Sequence, residues 1–223
     1  MSCRALLRRL RHACSGVAMI EFALSLPVLL TLGLAGSEVA NMALVQMRVS
    51  QLALQLADNG SRVGDTSALV DRKIYESDVN DLLLGASIQA GGINFFRNGR
   101  AILSSLERVP GDPARQYIHW QRCKGEKVWN SHYGNVGDVV SGMGPTDQQV
   151  MAPDNGAVIF VEVAYDYQPL VSDRLFGPTV ITSTASFMVR DKRDLTQIYQ
   201  RDPSDPDEVS QCSVYSSFPA VTI

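Results

Sequence analysis

The chain has 223 residues, 45% of them hydrophobic and 19% charged, with a formal net charge of −3. That length allows one membrane segment plus one globular domain with a core of its own. Charge is unevenly spread: residues 1–16 contain four arginines and no acid, leaving 16 basic against 23 acidic residues in the rest. So acidic a remainder, with no basic stripe, speaks against a nucleic-acid partner.

The first element is the basic leader, residues 1–16, with Arg4, Arg8, Arg9 and Arg11. Arginines before an apolar run predict a cytoplasmic N-terminus and an exported C-terminal part. The run itself, Val17 to Ala35, is 19 residues, about 28 Å as a helix, against a hydrocarbon core of about 30 Å. We place the span at 17–36. Pro27 lies within it and removes the hydrogen bond to the carbonyl of Ala23, allowing a kink. Glu21 is the one carboxylate inside the run. A charge in a spanning helix is costly, about 2.5–3.5 kcal/mol at its centre, and so marks a functional candidate. The plainer alternative is a glutamate that snorkels to the interface.

Residues 37–60 continue the helix outward. Met42, Val45, Val49, Leu52 and Leu56 step by three and four and draw one apolar seam. Asn59-Gly60 supplies a stop, giving a helix over 17–58. Its upper seam suits packing on the chain's own sheet, with contact between subunits as the other use. The remainder, 61–223, reads as an exported α+β domain. Ser77 caps a second short helix that closes at Gly91-Gly92. The period then changes to two. Ile93–Phe96 and Ala101–Val109 read as strands joined at Asn98-Gly99, followed by strands over Gln116–Cys123, Val158–Tyr167 and Ile181–Arg190. Residues 124–156, rich in Gly, Asn and Asp, read as a long surface loop. The tail from Asp202 to Glu208 is acidic and proline-rich.

The cysteines divide as the charge does. Cys3 and Cys14 fall on the cytoplasmic side of the span, Cys123 and Cys212 on the exported side. A pair in an oxidising compartment is best read as a disulfide, and two unpaired buried thiols are the alternative.

Gly16-Val-Ala-Met-Ile-Glu21-Phe22, set between a basic leader and an apolar span, is similar to the site that a prepilin peptidase recognises. The segment resembles the TadE-like family of pilin-like proteins of tight-adherence pilus systems. Ile118–Cys123, Val161–Leu170 and Phe187–Leu195 resemble the closing strands of that family's periplasmic domains. The resemblance implies a pilin-like α+β fold, a long N-terminal transmembrane helix packed on a small antiparallel sheet. It also implies cleavage between Gly16 and Val17, with Glu21 and Phe22 serving assembly. The implied partners are the prepilin peptidase, other pilins or pseudopilins, the assembly machinery and the bilayer. The implied place is the bacterial inner membrane, or a surface pilus. The implied role is that of a minor pilin or pseudopilin; the alternative is an uncleaved single-pass periplasmic scaffold or binding module. A secretory signal peptide cut after Gly33-Leu34-Ala35 is a weaker reading, because its leader would be long and would carry a glutamate in its apolar core.

Nothing in the residues argues for an enzyme or a cofactor. His119, Cys123 and His132 have no regular ligand spacing, and the disulfide competes for Cys123. Gly134, Gly137, Gly142 and Gly144 lack the strand-to-helix context of a phosphate loop. Asp202, Asp205, Asp207 and Glu208 miss the EF-hand register and read as a solvated acidic loop.

Overall fold

The computed structural model describes residues 15–64, 71–172, 177–190 and 192–218. The leader arginines, Cys3 and Cys14 lie outside the described residues.

One helix, α1, runs without interruption through Ser15–Arg62, passing Pro27. It has two environments. Through residues 16–37 every described side chain is exposed, whereas above Ser37 one face enters a core. Val45, Val49, Leu52 and Leu56 of the apolar seam are all buried, Ala53 and Ala57 join them, and Met42 packs at the edge. The seam is used for packing on the chain's own sheet. The stop expected at Asn59-Gly60 is overrun to Arg62 for a reason distant in sequence. Arg193 donates from Nη1 to the Gly60 carbonyl and from Nη2 to the Val63 carbonyl at 3.2 and 2.6 Å, satisfying carbonyls at the helix end. Gly60 also faces Ile159 and Leu82 so closely that a Cβ there would stand 3.1 Å from the Ile159 side chain.

Helix α2 (Glu76–Ala90) starts one residue before Ser77, and Ser77 is not its cap. The N-cap is Tyr75, whose backbone N–H is accepted by the Asp78 carboxylate at 3.0 Å, the reach-back half of a capping box. After a 3₁₀ turn (Gly91–Ile93) comes a single turn, α3 (Phe95–Asn98). The strand expected over Ile93–Phe96 is therefore absent. Phe95 and Phe96 are both buried, an arrangement that alternation in a half-covered strand does not produce but a helical turn between layers does.

The sheet comprises β1 (Gly99–Val109), β2 (Asp112–Lys124), β3 (Val139–Val140), β4 (Ala157–Asp166) and β5 (Val180–Met188). All neighbours pair antiparallel, in the order β3-β2-β1-β4-β5. The hairpin turn is Pro110-Gly111, between the paired Val109 and Asp112, and not Asn98-Gly99. Gly111 has φ +80°, the value that position i+2 of a type II turn demands after proline. In central β1 the first nine residues, Gly99 to Glu107, are all buried, so both faces of the sheet are covered. α1 and α2 cover one face, around Leu103, Ile159, Val161 and Val163. The other face is covered by 124–156, where Met143, Ala152 and the partly buried Tyr133 and Val150 close over Leu106, Ile118, Val158 and Phe160. That segment is irregular as expected, yet it is a covering layer with its own small core and the strand β3.

Cys123 and Cys212 are joined by a disulfide across 89 residues of chain. The tail is held by more than this link. Arg100, fully buried, donates to the carbonyls of Gly125, Cys212 and Val214. The Cys123 amide donates to Ser210, Asn80 Nδ2 donates to the Glu208 carbonyl, and Phe218 stacks edge-on against Phe96. Reduction should therefore lower stability by about 2–5 kcal/mol, the usual cost of losing a native disulfide. Denaturation with and without reductant measures this. The tail should nevertheless stay docked in the reduced folded state, so limited proteolysis should not remove it first.

Candidate assembly helix

The sequence-predicted residues of the span occupy the first turns of α1. Gly16 and Val17 lie just after the helix start at Ser15, and nothing approaches within 4 Å of the place a Gly16 Cβ would take. Val17 and Phe22 are 58% and 63% exposed. Glu21 sits one helical turn above Val17, exposed, and has no bonding partner among the described residues.

Other polar side chains of the span look after themselves. Ser25 donates to the Phe22 carbonyl, Thr31 to those of Pro27 and Val28, and Ser37 to that of Leu34. Such back-bonding removes the need for water around hydroxyls placed in lipid or in a packed helix array. Glu21 has no equivalent device, which separates it chemically from its neighbours.

Glu38, a residue the sequence reading missed, joins the exposed and packed halves of α1. It extends the seam one step below Met42, so its side chain points at the domain, and it is only 1% exposed. Its Oε1 accepts the Tyr167 hydroxyl at 2.5 Å, and its Oε2 accepts the Leu170 and Val171 amides at 3.0 and 2.9 Å. Asn41 Nδ2 in turn donates to the Tyr167 oxygen at 2.8 Å. Burial raises the Tyr167 phenol above its ordinary pKa, and the bond to Glu38 acts the same way, so the phenol stays a donor. The three- and four-residue spacing was the available signal; the charge concealed it.

The side chains considered for chemistry are otherwise engaged. Cys123 is in the disulfide. His132 lies against the Trp129 ring, with Nδ1 3.7 Å from Glu162. Glu162 is buried, accepts Ser131 Oγ and the His132 amide, and is raised above the usual carboxylate range by desolvation. Gly134, Gly137 and Gly144 have positive φ in the covering segment, and Asp202 caps its own turn by accepting from Ser204. Among the described residues no three His, Cys, Asp or Glu side chains are grouped to hold a metal.

His119 Nδ1 stands 2.9 Å from Oε2 of buried Glu107, whose Oε1 accepts Ser105 Oγ. The bond to Glu107 raises the imidazole pKa, partly opposed by burial. A raised folded pKa contributes stability that is complete below the unfolded value, about 6.5, and fades as pH rises through the higher folded one. His119→Gln should therefore flatten the fall in stability above about pH 6.5. Denaturation curves of both proteins at several pH values check this.

Among the described residues one helix, Gly16–Arg62, is long and apolar enough to cross a membrane. No curated protein and no solved structure matches the chain. The family model described as TadE-like protein matches residues 16–58, the stretch from the exposed span to the last turns of α1 that enter the core. Over residues 16–58, then, the chain is similar to TadE-like proteins.

Proposed function

We propose that the chain is a single-pass, pilin-like subunit of a tight-adherence pilus system, made as a precursor and matured by a prepilin peptidase. The observation that carries this reading is a helix exposed on all sides and, Glu21 apart, without charge through residues 17–36, continuous with a packed half. A helix hydrophobic all round needs lipid or other helices about it. The same segment can thus be held in the inner membrane and then be transferred into a fibre without exposing apolar surface to water. The leader arginines keep the N-terminus cytoplasmic and put the sheet domain on the other side. Disulfide Cys123–Cys212 fits that compartment. The role is mechanical, that of a minor pilin or pseudopilin contacting other pilus components.

Cleavage after Gly16 would create an α-amino group on Val17, one turn below Glu21. In an assembling fibre the Glu21 carboxylate of one subunit meets the Val17 ammonium of its neighbour. Each charge would otherwise stand unpaired among apolar side chains, so the pair fixes the register between subunits. Glu21→Ala should insert and mature, since removing a charge from lipid favours insertion, but should assemble few pili and adhere poorly. Wild-type pilus number and adhesion in cells carrying this variant would refute the pairing.

A further inference from the structure

We propose that the loop Tyr167–Val171 is a membrane-contact element, lying in the headgroup layer of the bilayer that α1 spans. The inference rests on the reading of residues 17–36 as the span. Glu38 follows the end of that span, Gly36, by two residues, about 3 Å along the helix axis. The hydrocarbon core is about 30 Å thick and the whole bilayer about 40–45 Å, which leaves a headgroup layer of about 5–7 Å on each side. The level of Glu38 thus falls within that layer. Its carboxylate holds the Leu170 and Val171 amides and the Tyr167 hydroxyl directly, so the loop is fixed to the helix at this same level.

The composition of the loop suits the position. Tyr167, Gln168, Pro169, Leu170, Val171 and Ser172 carry no charge, nor do residues 177–180 on the returning arm; between them the sequence has one charge of each sign, Asp173 and Arg174. The arms are tied by the Tyr167 amide donating to the Thr179 carbonyl at 2.9 Å. The first charge inward is Asp166, which lies 2.5 Å from Lys127 Nζ. Leu170 is 68% exposed, and Val39, one residue above Glu38 on α1, is 63% exposed. A single exposed leucine means little on an ordinary surface; here the helix brings it to the lipid. Tyr167–Val171 carry no charge and the following Asp173 and Arg174 sum to zero, so the partner is the lipid interface itself, and contact should not depend on anionic lipid or on salt.

Orientation provides the control. α1 meets Tyr167 through Asn41 and reaches Ile159 at Gly60, so the Val158 end of β4 is the end away from the membrane. The Gly137 amide donates to the carbonyl of Ile118, which pairs through Leu106 with Val158, so the neighbouring, exposed Val136 marks that distal end. The test uses the full chain in phosphatidylcholine vesicles containing acyl-brominated lipids, with a tryptophan added at one site and wild-type emission subtracted. L29W should be quenched by bromines deep in the chain, L170W by bromines near the glycerol, and V136W by neither. Quenching at 170 should be the same in low and high salt. Quenching at 29 with none at 170 overturns the proposal and leaves the span standing. No quenching at 29 overturns the span itself. Equal quenching at 136 and 170 means that the domain lies on its side, which also overturns the proposal.

Discussion

Arg122→Leu should destabilise the sheet domain by about 3–5 kcal/mol, the cost of breaking a buried ion pair from one side. Arg122, on β2, reaches across to Glu76, the first residue of α2, donating from Nε at 2.9 Å and from Nη2 to the second carboxylate oxygen. The two side chains are only 16% and 4% exposed. Leucine would fill part of the volume but would leave the Glu76 carboxylate buried, facing only the positive end of its own helix. Against a total stability of about 5–15 kcal/mol, that loss leaves a marginal fold. The double variant Glu76→Leu/Arg122→Leu removes both charges and should recover most of the loss, because the desolvation penalty goes with them. Denaturant titrations in detergent of wild type, Arg122→Leu, Glu76→Leu and the double variant form the cycle. A single variant within about 1 kcal/mol of wild type would mean that the pair is open to solvent, as surface pairs of that worth are.

Neither partner of this pair was legible in the sequence, because Glu76 and Arg122 lie 46 residues apart and carry no periodic signal. The same limit explains the other misses. Arg193 overrides Asn59-Gly60 as a helix stop from 133 residues away, and Glu38 occupies a core seam position despite its charge because a distant loop supplies three donors. What could be read was what repetition announces. The seam Val45, Val49, Leu52 and Leu56 gave the packed face of α1, and the apolar run from Val17 gave its naked part. Val158–Tyr167 stood out as a strand because it is buried on both faces and almost continuously apolar, as β4 is. The hairpin was misplaced because Asn98-Gly99 is the stronger local turn signal. Phe95 and Phe96 need a helical turn there, and Pro110-Gly111 makes the actual reversal. Of the candidate site, the order Gly16, Val17, Glu21, Phe22 was visible as a motif, whereas the tie at Glu38 that sets the domain against the span was not.

The second large effect is expected at Gly16. Gly16→Val should abolish maturation, because a β-branched side chain would stand where the peptidase closes on bare backbone. The position is exposed and no side chain contacts it, so the substitution costs the fold almost nothing. Valine lies within about 0.7 kcal/mol of the best helix former and glycine about 1 kcal/mol below it, so the exchange slightly favours the helix. Any block is therefore a block to cleavage and not to folding. On immunoblots of bacterial membranes the variant should run as the precursor, larger than wild type by the sixteen residues of the leader, and pili should be missing. A product of wild-type size would place the cut elsewhere.

The most direct test of the account is the N-terminal sequence of the mature protein recovered from the membranes and pili of the cells that make it. A processed pilin-like subunit predicts a chain that begins Val17-Ala18-Met19. A chain beginning at Met1 would contradict processing and point to a permanently anchored scaffold, and one beginning at Gly36 would make the span a cleaved signal.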